Sequence, residues 1–143
     1  MEILKKSNIV IGLPSEGHED AILRAGRMLV EDGYVTGRYV EGMIARDRSF
    51  STAIGNLIAI PHGEKEYKDE ILKTGIVVAT YPDGIQWGEN TVRLVVGIAA
   101  RGDEHLGILS RIVEALEDEK AVENLVADGD ADKIYSLFTE GDR

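Results

Sequence analysis

The chain has 143 residues, a length that suits one domain and lets folding bury roughly 70% of the surface an unfolded chain exposes. Against 26 acidic side chains stand 16 basic ones, and the formal net charge of −10 argues against a broad basic face for nucleic acid or an anionic membrane and favours a basic partner, if it does more than keep the chain soluble. Cysteine is absent, which excludes disulfides, thiolate chemistry and cysteine-ligated zinc.

In chain order, "MEILKKSNIVIGLPSEG" has two lysines before an apolar run too short for a signal-peptide core, and no later segment approaches a membrane span. A cytoplasmic chain with no direct membrane insertion is expected. "HEDAILRAGRMLVEDG" predicts a helix, with Ala21, Ile22, Ala25, Leu29 and Val30 on one face, acids in the first turn and Gly33 as the stop. "TGRYVEGMIARDR" predicts a second, shorter helix, with Thr36 as its cap, Val40, Met43 and Ile44 at helical spacing and Arg46 near its end.

The period then changes. "LIAI", "GIVVAT" and "TVRLVVGIAA" are short, β-branched, nearly continuous apolar runs, as expected of strands covered on both faces. Between the last two, Pro82, Asp83 and Gly84 spell a tight turn, after which Ile85 to Trp87 is expected to pair back as a hairpin strand. Beyond "RGDEH" the spacing of Leu106, Leu109, Ile112, Val113 and Leu116 predicts a helix capped by Asp103. "EKAVENLVAD" and "DADKIYSLFTE" predict two more, the second capped by Asp130. With no internal repeat or linker, residues 1–143 are read as one layered α/β domain, a mixed, mostly parallel sheet with helices on both faces.

Several motifs fail on their missing partners. "HGE" at 62–64 opens a deaminase zinc signature whose cysteine pair is absent, and "KTG" at 73–75 has no Ser-x-x-Lys beside it. No Gly-x-Ser-x-Gly elbow, Walker A loop or Gly-x-Gly-x-x-Gly turn is present. Three histidines remain. His18 falls in the first turn of the first helix, where a solvated polar residue is ordinary, and is set aside. His62 closes a buried strand, and ligands of α/β sheets sit at the carboxyl ends of strands. Pro61 holds the chain extended before it, and Gly63 lets the chain turn and leaves the imidazole uncrowded. The competing reading is a turn histidine that merely follows a strand.

His105 shifts that balance, because it follows a second strand and opens the helix after Asp103. If the two strands are parallel and adjacent, the two histidines converge. A helix N-terminus suits an anion and disfavours an imidazolium, which keeps His105 neutral. Arg46 can add a fixed cation with a planar donor fork for phosphate, or it can be an ordinary solvated helix-end residue.

From Asp47 the chain reads acid, six residues, Ile54-Gly55, two residues, Ile58-Ala59-Ile60-Pro61-His62-Gly63. This resembles in full the active-site signature of the enzyme IIA domains of the mannitol/fructose class in the bacterial sugar phosphotransferase system. "GYVTGRYVEGMIARD", "KDEILKTGIVVATYPDGIQWGE" and "LVVGIAARGDEHLGILSRI" are more similar to the mannitol branch than to the fructose or nitrogen-regulatory branches, and the resemblance covers nearly the whole chain. It implies a phosphocarrier: a phosphoryl group arrives on His62 from the phosphohistidine of the carrier HPr and leaves for a cysteine of an enzyme IIB domain, in the uptake of mannitol or a related sugar alcohol. It implies His105 and Arg46 as phosphoryl stabilisers, the phosphate on Nε2 of His62 with the other ring nitrogen held by an acceptor, and no cofactor or metal. Glu64 receives no role.

The IIB and membrane domains often fused to such modules are not in the sequence, so partners are expected to meet it by diffusion, its acidic surface against a basic face of HPr. A small interface with an apolar rim and micromolar or weaker affinity is expected. Two other readings stand beside this one: a nitrogen-type regulatory phosphoprotein using the same His62, and an acidic binding module without transfer chemistry.

Overall fold

A computed structural model describes residues 3–101 and 104–139, without the side chains of residues 104–106, 108 and 109. Its elements are β1 (Ile9–Val10), α1 (His18–Glu31), α2 (Arg38–Ser49), β2 (Ala53–Gly55), β3 (Ile58–Ala59), β4 (Gly75–Trp87), β5 (Asn90–Ala99), α3 (Glu104–Ala115), α4 (Glu119–Asp128) and α5 (Ala131–Thr139). The sheet is mixed, in the order β1-β4-β5-β3-β2. The β1–β4 and β3–β5 pairs are parallel; β4–β5 and β2–β3 are antiparallel.

The continuous apolar runs are explained by burial on both sides. From β4, Val77, Ala79 and Tyr81 pack with Ala21, Ile22, Ala25 and Leu29 of α1 and with Tyr39 and Met43 of α2. The alternate residues Ile76 and Val78, with Leu94, Val96 and Ile98 of β5, pack with Ile112, Val122, Leu125, Ile134 and Phe138 of α3 to α5. Fully burying each such side chain contributes about 1.5–3 kcal/mol before conformational entropy is set against it. No helix among the described residues is long and apolar enough to cross a membrane.

Helix ends largely follow the sequence reading. After Gly33, the Tyr34 N–H returns to the Leu29 carbonyl at 2.9 Å and closes α1. Asp130 Oδ1 accepts the N–H groups of Asp132 and Lys133 at 3.0 and 3.3 Å, and Asp118 does the same for Ala121 at the start of α4. Thr36 does not act as the side-chain cap expected of it: its hydroxyl donates to Glu70, and α2 starts after Gly37 without a side-chain cap. Asp103 lies outside the described residues.

The expected turn at Pro82-Asp83-Gly84 is a bulge instead. β4 runs on to Trp87, and Ile85, Gln86 and Trp87 pair with Val92, Thr91 and Asn90 of β5. Between the pairs Thr80–Leu94 and Ile85–Val92, β4 takes five residue steps where β5 takes two. Gly84, at φ +76°, absorbs the excess in a conformation that favours glycine. The chain reverses further on, through Gly88 and Glu89.

Candidate active site

β3 and β5 are parallel neighbours, as the sequence reading required, so their carboxyl ends open on the same edge of the sheet. The pairing outlasts β3: the Ile98 N–H donates to the Pro61 carbonyl at 2.9 Å, and His62 stands opposite Ile98. Beyond it the chain is held from the other side. The Gly63 N–H donates to Tyr39 Oη at 2.8 Å, the Tyr39 hydroxyl donates to the Ile98 carbonyl at 3.0 Å, and the Glu64 N–H donates to the Gly42 carbonyl at 3.2 Å. A Cβ at position 63 would stand 2.5 Å from a ring carbon of Tyr39, so this close approach requires glycine. Residues 61–64 thus form a strap between β5 and α2.

His62 is half-buried, and its Nδ1 lies 2.8 Å from the Ile60 carbonyl oxygen. A carbonyl only accepts, so Nδ1 carries the hydrogen of that bond and the lone pair of the neutral ring resides on Nε2. A neutral ring in this tautomer offers the Nε2 lone pair without an added base.

Arg46 occupies the last turn of α2, where the helix dipole favours a cation. It is half-buried, donates through Nη1 to the Phe50 carbonyl and lies over the Phe50 ring at 5.7 Å. Its charge reaches the strap. The Glu64 carboxyl is raised above its ordinary range, first by the hydrogen bond it shares with Glu66, then by burial and the charge of Glu66, while Arg46 acts to lower it. Phe50 and Ile54 beside this helix end are exposed large apolar residues. His105 falls in the first turn of α3, beyond the end of β5; its side chain lies outside the described residues.

Asp47 opens the signature but points inward. It is buried, and its Oδ1 accepts from the Thr52 N–H at 2.9 Å, the Thr52 hydroxyl at 2.7 Å and the Trp87 indole N–H at 2.9 Å. His18, expected to be merely solvated, places Nε2 3.5 Å from Asp47 Oδ2 and its ring against Trp87. Asp47, Thr52, Trp87 and His18 thereby anchor the segment that carries Arg46 and Phe50. The sequence reading passed over Tyr39 as well. Its signal was a tyrosine one helical turn before the core residue Met43, since a buried hydroxyl needs partners.

A half-buried imidazole at the carboxyl edge of a two-sided sheet, its Nδ1 on a main-chain carbonyl and a guanidinium on the adjoining helix end, defines an α/β domain built around one histidine. Residues 2–141 match the family described as "Phosphoenolpyruvate-dependent sugar phosphotransferase system, EIIA 2", and the chain belongs to that family. It is 40% identical over 141 residues to the mannitol-specific phosphotransferase enzyme IIA component of Bacillus subtilis, with 98% of this chain and 99% of that protein covered. It is 42% identical over 138 residues to the PTS system mannitol-specific EIICBA component of Vibrio cholerae; the match takes in 94% of this chain and 21% of that longer protein. Among solved structures it is similar to the complex of enzyme IIAMTL and phosphorylated enzyme IIBMTL from Escherichia coli, with a TM-score of 0.88, 39% identity and coverage of 96% of this chain and 99% of that one.

Proposed function

We propose that the chain is a phosphocarrier of the bacterial sugar phosphotransferase system, working in the cytoplasm, that receives a phosphoryl group from phospho-HPr on Nε2 of His62 and passes it to a cysteine of an enzyme IIB domain during uptake of mannitol or a related sugar alcohol. The observation that carries this reading is the 2.8 Å contact between His62 Nδ1 and the Ile60 carbonyl, at the sheet edge of a chain so similar to mannitol-type IIA components. The E. coli complex with phosphorylated IIB supports a IIB domain as the acceptor.

The reaction needs little covalent machinery. The Nε2 lone pair attacks phosphorus in line as the phosphorus–nitrogen bond to HPr breaks, and that bond's electron pair stays on the HPr imidazole. Nδ1 keeps its hydrogen throughout. The phosphorylated ring, substituted at both nitrogens, takes on imidazolium character that the Ile60 carbonyl offsets, and the neutral imidazole released from it is a good leaving group. A IIB thiolate then attacks phosphorus, a phosphorus–sulfur bond forms, and the electron pair of the broken phosphorus–nitrogen bond returns to Nε2. Arg46 supplies a planar cation to the equatorial oxygens, and His105, opening α3, a neutral donor. The net charge of −10 speeds encounter with a basic face on HPr.

Incubation with phospho-HPr tests the reading directly. The intact mass should rise by one phosphoryl group, the label should map to His62, and addition of IIB should remove it. A chain that takes up no phosphate is no carrier; one that loads but never discharges to IIB belongs to a regulatory phosphoprotein instead.

A further inference from the structure

In a parallel ladder, the residue opposite a neighbouring strand is flanked by two main-chain bonds, one from the neighbour's N–H and one back to its carbonyl. At His62 the first is made directly, from the Ile98 N–H to the Pro61 carbonyl. The second runs through a side chain: Gly63 N–H to Tyr39 Oη at 2.8 Å, then Tyr39 hydroxyl to Ile98 carbonyl at 3.0 Å. A hydroxyl oxygen sits where a rung would close. The Tyr39 hydroxyl is therefore the spacer that links the chain after His62 to β5, at the point where it leaves the sheet.

The spacer is rigid. Tyr39 is 2% exposed, and its ring is fixed in the core between the sheet and α1 and α2. Its hydroxyl accepts from one main-chain group and donates to another, which leaves the rotor no alternative. Burial raises its pKa, so the proton it donates to Ile98 stays in place through the neutral range. On the other side of Gly63, only a hydrogen fits against the ring.

We propose that Tyr39 is a positioning residue for phosphoryl transfer, its hydroxyl setting the angle at which the chain departs at His62 and so holding the imidazole with Nδ1 on the Ile60 carbonyl and Nε2 toward the incoming phosphorus. This rests on the reading of His62 as the phosphoryl acceptor. Without the spacer, Gly63 closes on Ile98 directly, the regular strand runs on past His62, and the Ile60 contact that selects the tautomer loosens. Tyr39 touches neither phosphorus nor its oxygens; it acts through the strap.

The test compares wild type with Tyr39→Phe, which keeps the ring and removes the hydroxyl, in the full chain with phospho-HPr. Phosphoryl acceptance should slow by on the order of 100-fold, the scale of a misplacement near 1 Å, with KM for phospho-HPr changed by no more than about twofold. The ring nitrogen shifts of His62 should show a smaller share of the Nδ1–H tautomer. Val122→Ala, which loosens the opposite core, should lower the melting temperature and leave both readouts alone. If Tyr39→Phe does not fold, replacing Gly63 by glycolic acid turns the same N–H into an ester oxygen and must reproduce both changes. A wild-type rate with an unchanged tautomer, in either substitution, overturns the proposal. A wild-type chain that accepts no phosphate overturns the His62 reading instead, and the tautomer shift alone then decides whether Tyr39 positions the ring.

Discussion

The indole N–H of Trp87 donates to Asp47 Oδ1 at 2.9 Å, joining the end of β4 to the end of α2. Both Thr52 bonds end on the same oxygen. Asp47→Ala strands three donors, and at about 1–3 kcal/mol for each buried donor left unsatisfied it should cost at least about 3 kcal/mol. Asp47→Asn keeps an acceptor there and should cost far less. Trp87 is the chain's single tryptophan, so denaturant unfolding followed by its fluorescence reads the effect at the site of change. A loss below about 1 kcal/mol in the alanine variant would show the cluster to be dispensable.

His62→Ala should abolish phosphoryl acceptance from phospho-HPr, whereas His18→Ala should leave it intact. His18 contributes its contacts with Asp47 and Trp87, at an edge that is partly open to water, and its removal should be visible only as a modest loss of stability. Labelling that survives in the first variant would place the nucleophile elsewhere.

His105→Ala should leave His62 able to accept phosphate but slow transfer about 100- to 1000-fold, the loss typical of a removed oxyanion donor. Arg46→Lys keeps the charge and loses the fork, and should be milder. Rapid-quench transfer from phospho-HPr and to IIB measures both. Normal rates in His105→Ala, or phosphate found on His105 of the wild type, would remove it from the stabilising role.

Stability should also respond to pH through Glu16. The hydrogen bonds from the Arg24 guanidinium, at 2.9 and 3.2 Å, hold its carboxyl below the ordinary value of 4.5, with the Tyr81 hydroxyl adding to the effect. A depressed folded-state pKa stabilises the fold above the unfolded value, and the contribution fades as pH falls below 4.5 toward the folded value. Unfolding free energies for wild type and Glu16→Gln should therefore differ near neutrality and converge in acid. A gap that stays constant with pH would assign Glu16 a purely steric part.

The helices were legible because each carries its own period: Ala21, Ile22, Ala25 and Leu29 form one stripe of α1, and all four are buried against the sheet. β4 and β5 were legible because they are long and buried on both faces, and the two-residue β3 because it lies in the buried run of Ile58, Ala59 and Ile60. β1 and β2, at two and three residues, hold their places through partners and leave no local pattern. Pro82-Asp83-Gly84 has the composition of a turn whether the chain reverses or bulges; only the pairing with β5 decides between them. At the site, His62 was readable because the strand ends at it. The contacts of Tyr39 and Asp47 were not, because Tyr39 bonds to residues 24 and 59 positions away and Asp47, which the sequence shows only as the start of the signature, to one 40 positions away.

Tyr39 belongs to the core packed on α1 and α2, whereas the side chain of Ile98 belongs to the core packed on α3 to α5. Their hydroxyl-to-carbonyl bond is a stitch between two halves of the molecule that otherwise pack on opposite sides of the sheet. The strap works as a gauge of alignment: a shift of the α1–α2 half against the sheet is transmitted to the imidazole without passing through the other half. Substitutions distant from His62 then fall into two groups, those in the first half that can disturb its aim and those in the second that weaken the molecule while leaving the aim untouched.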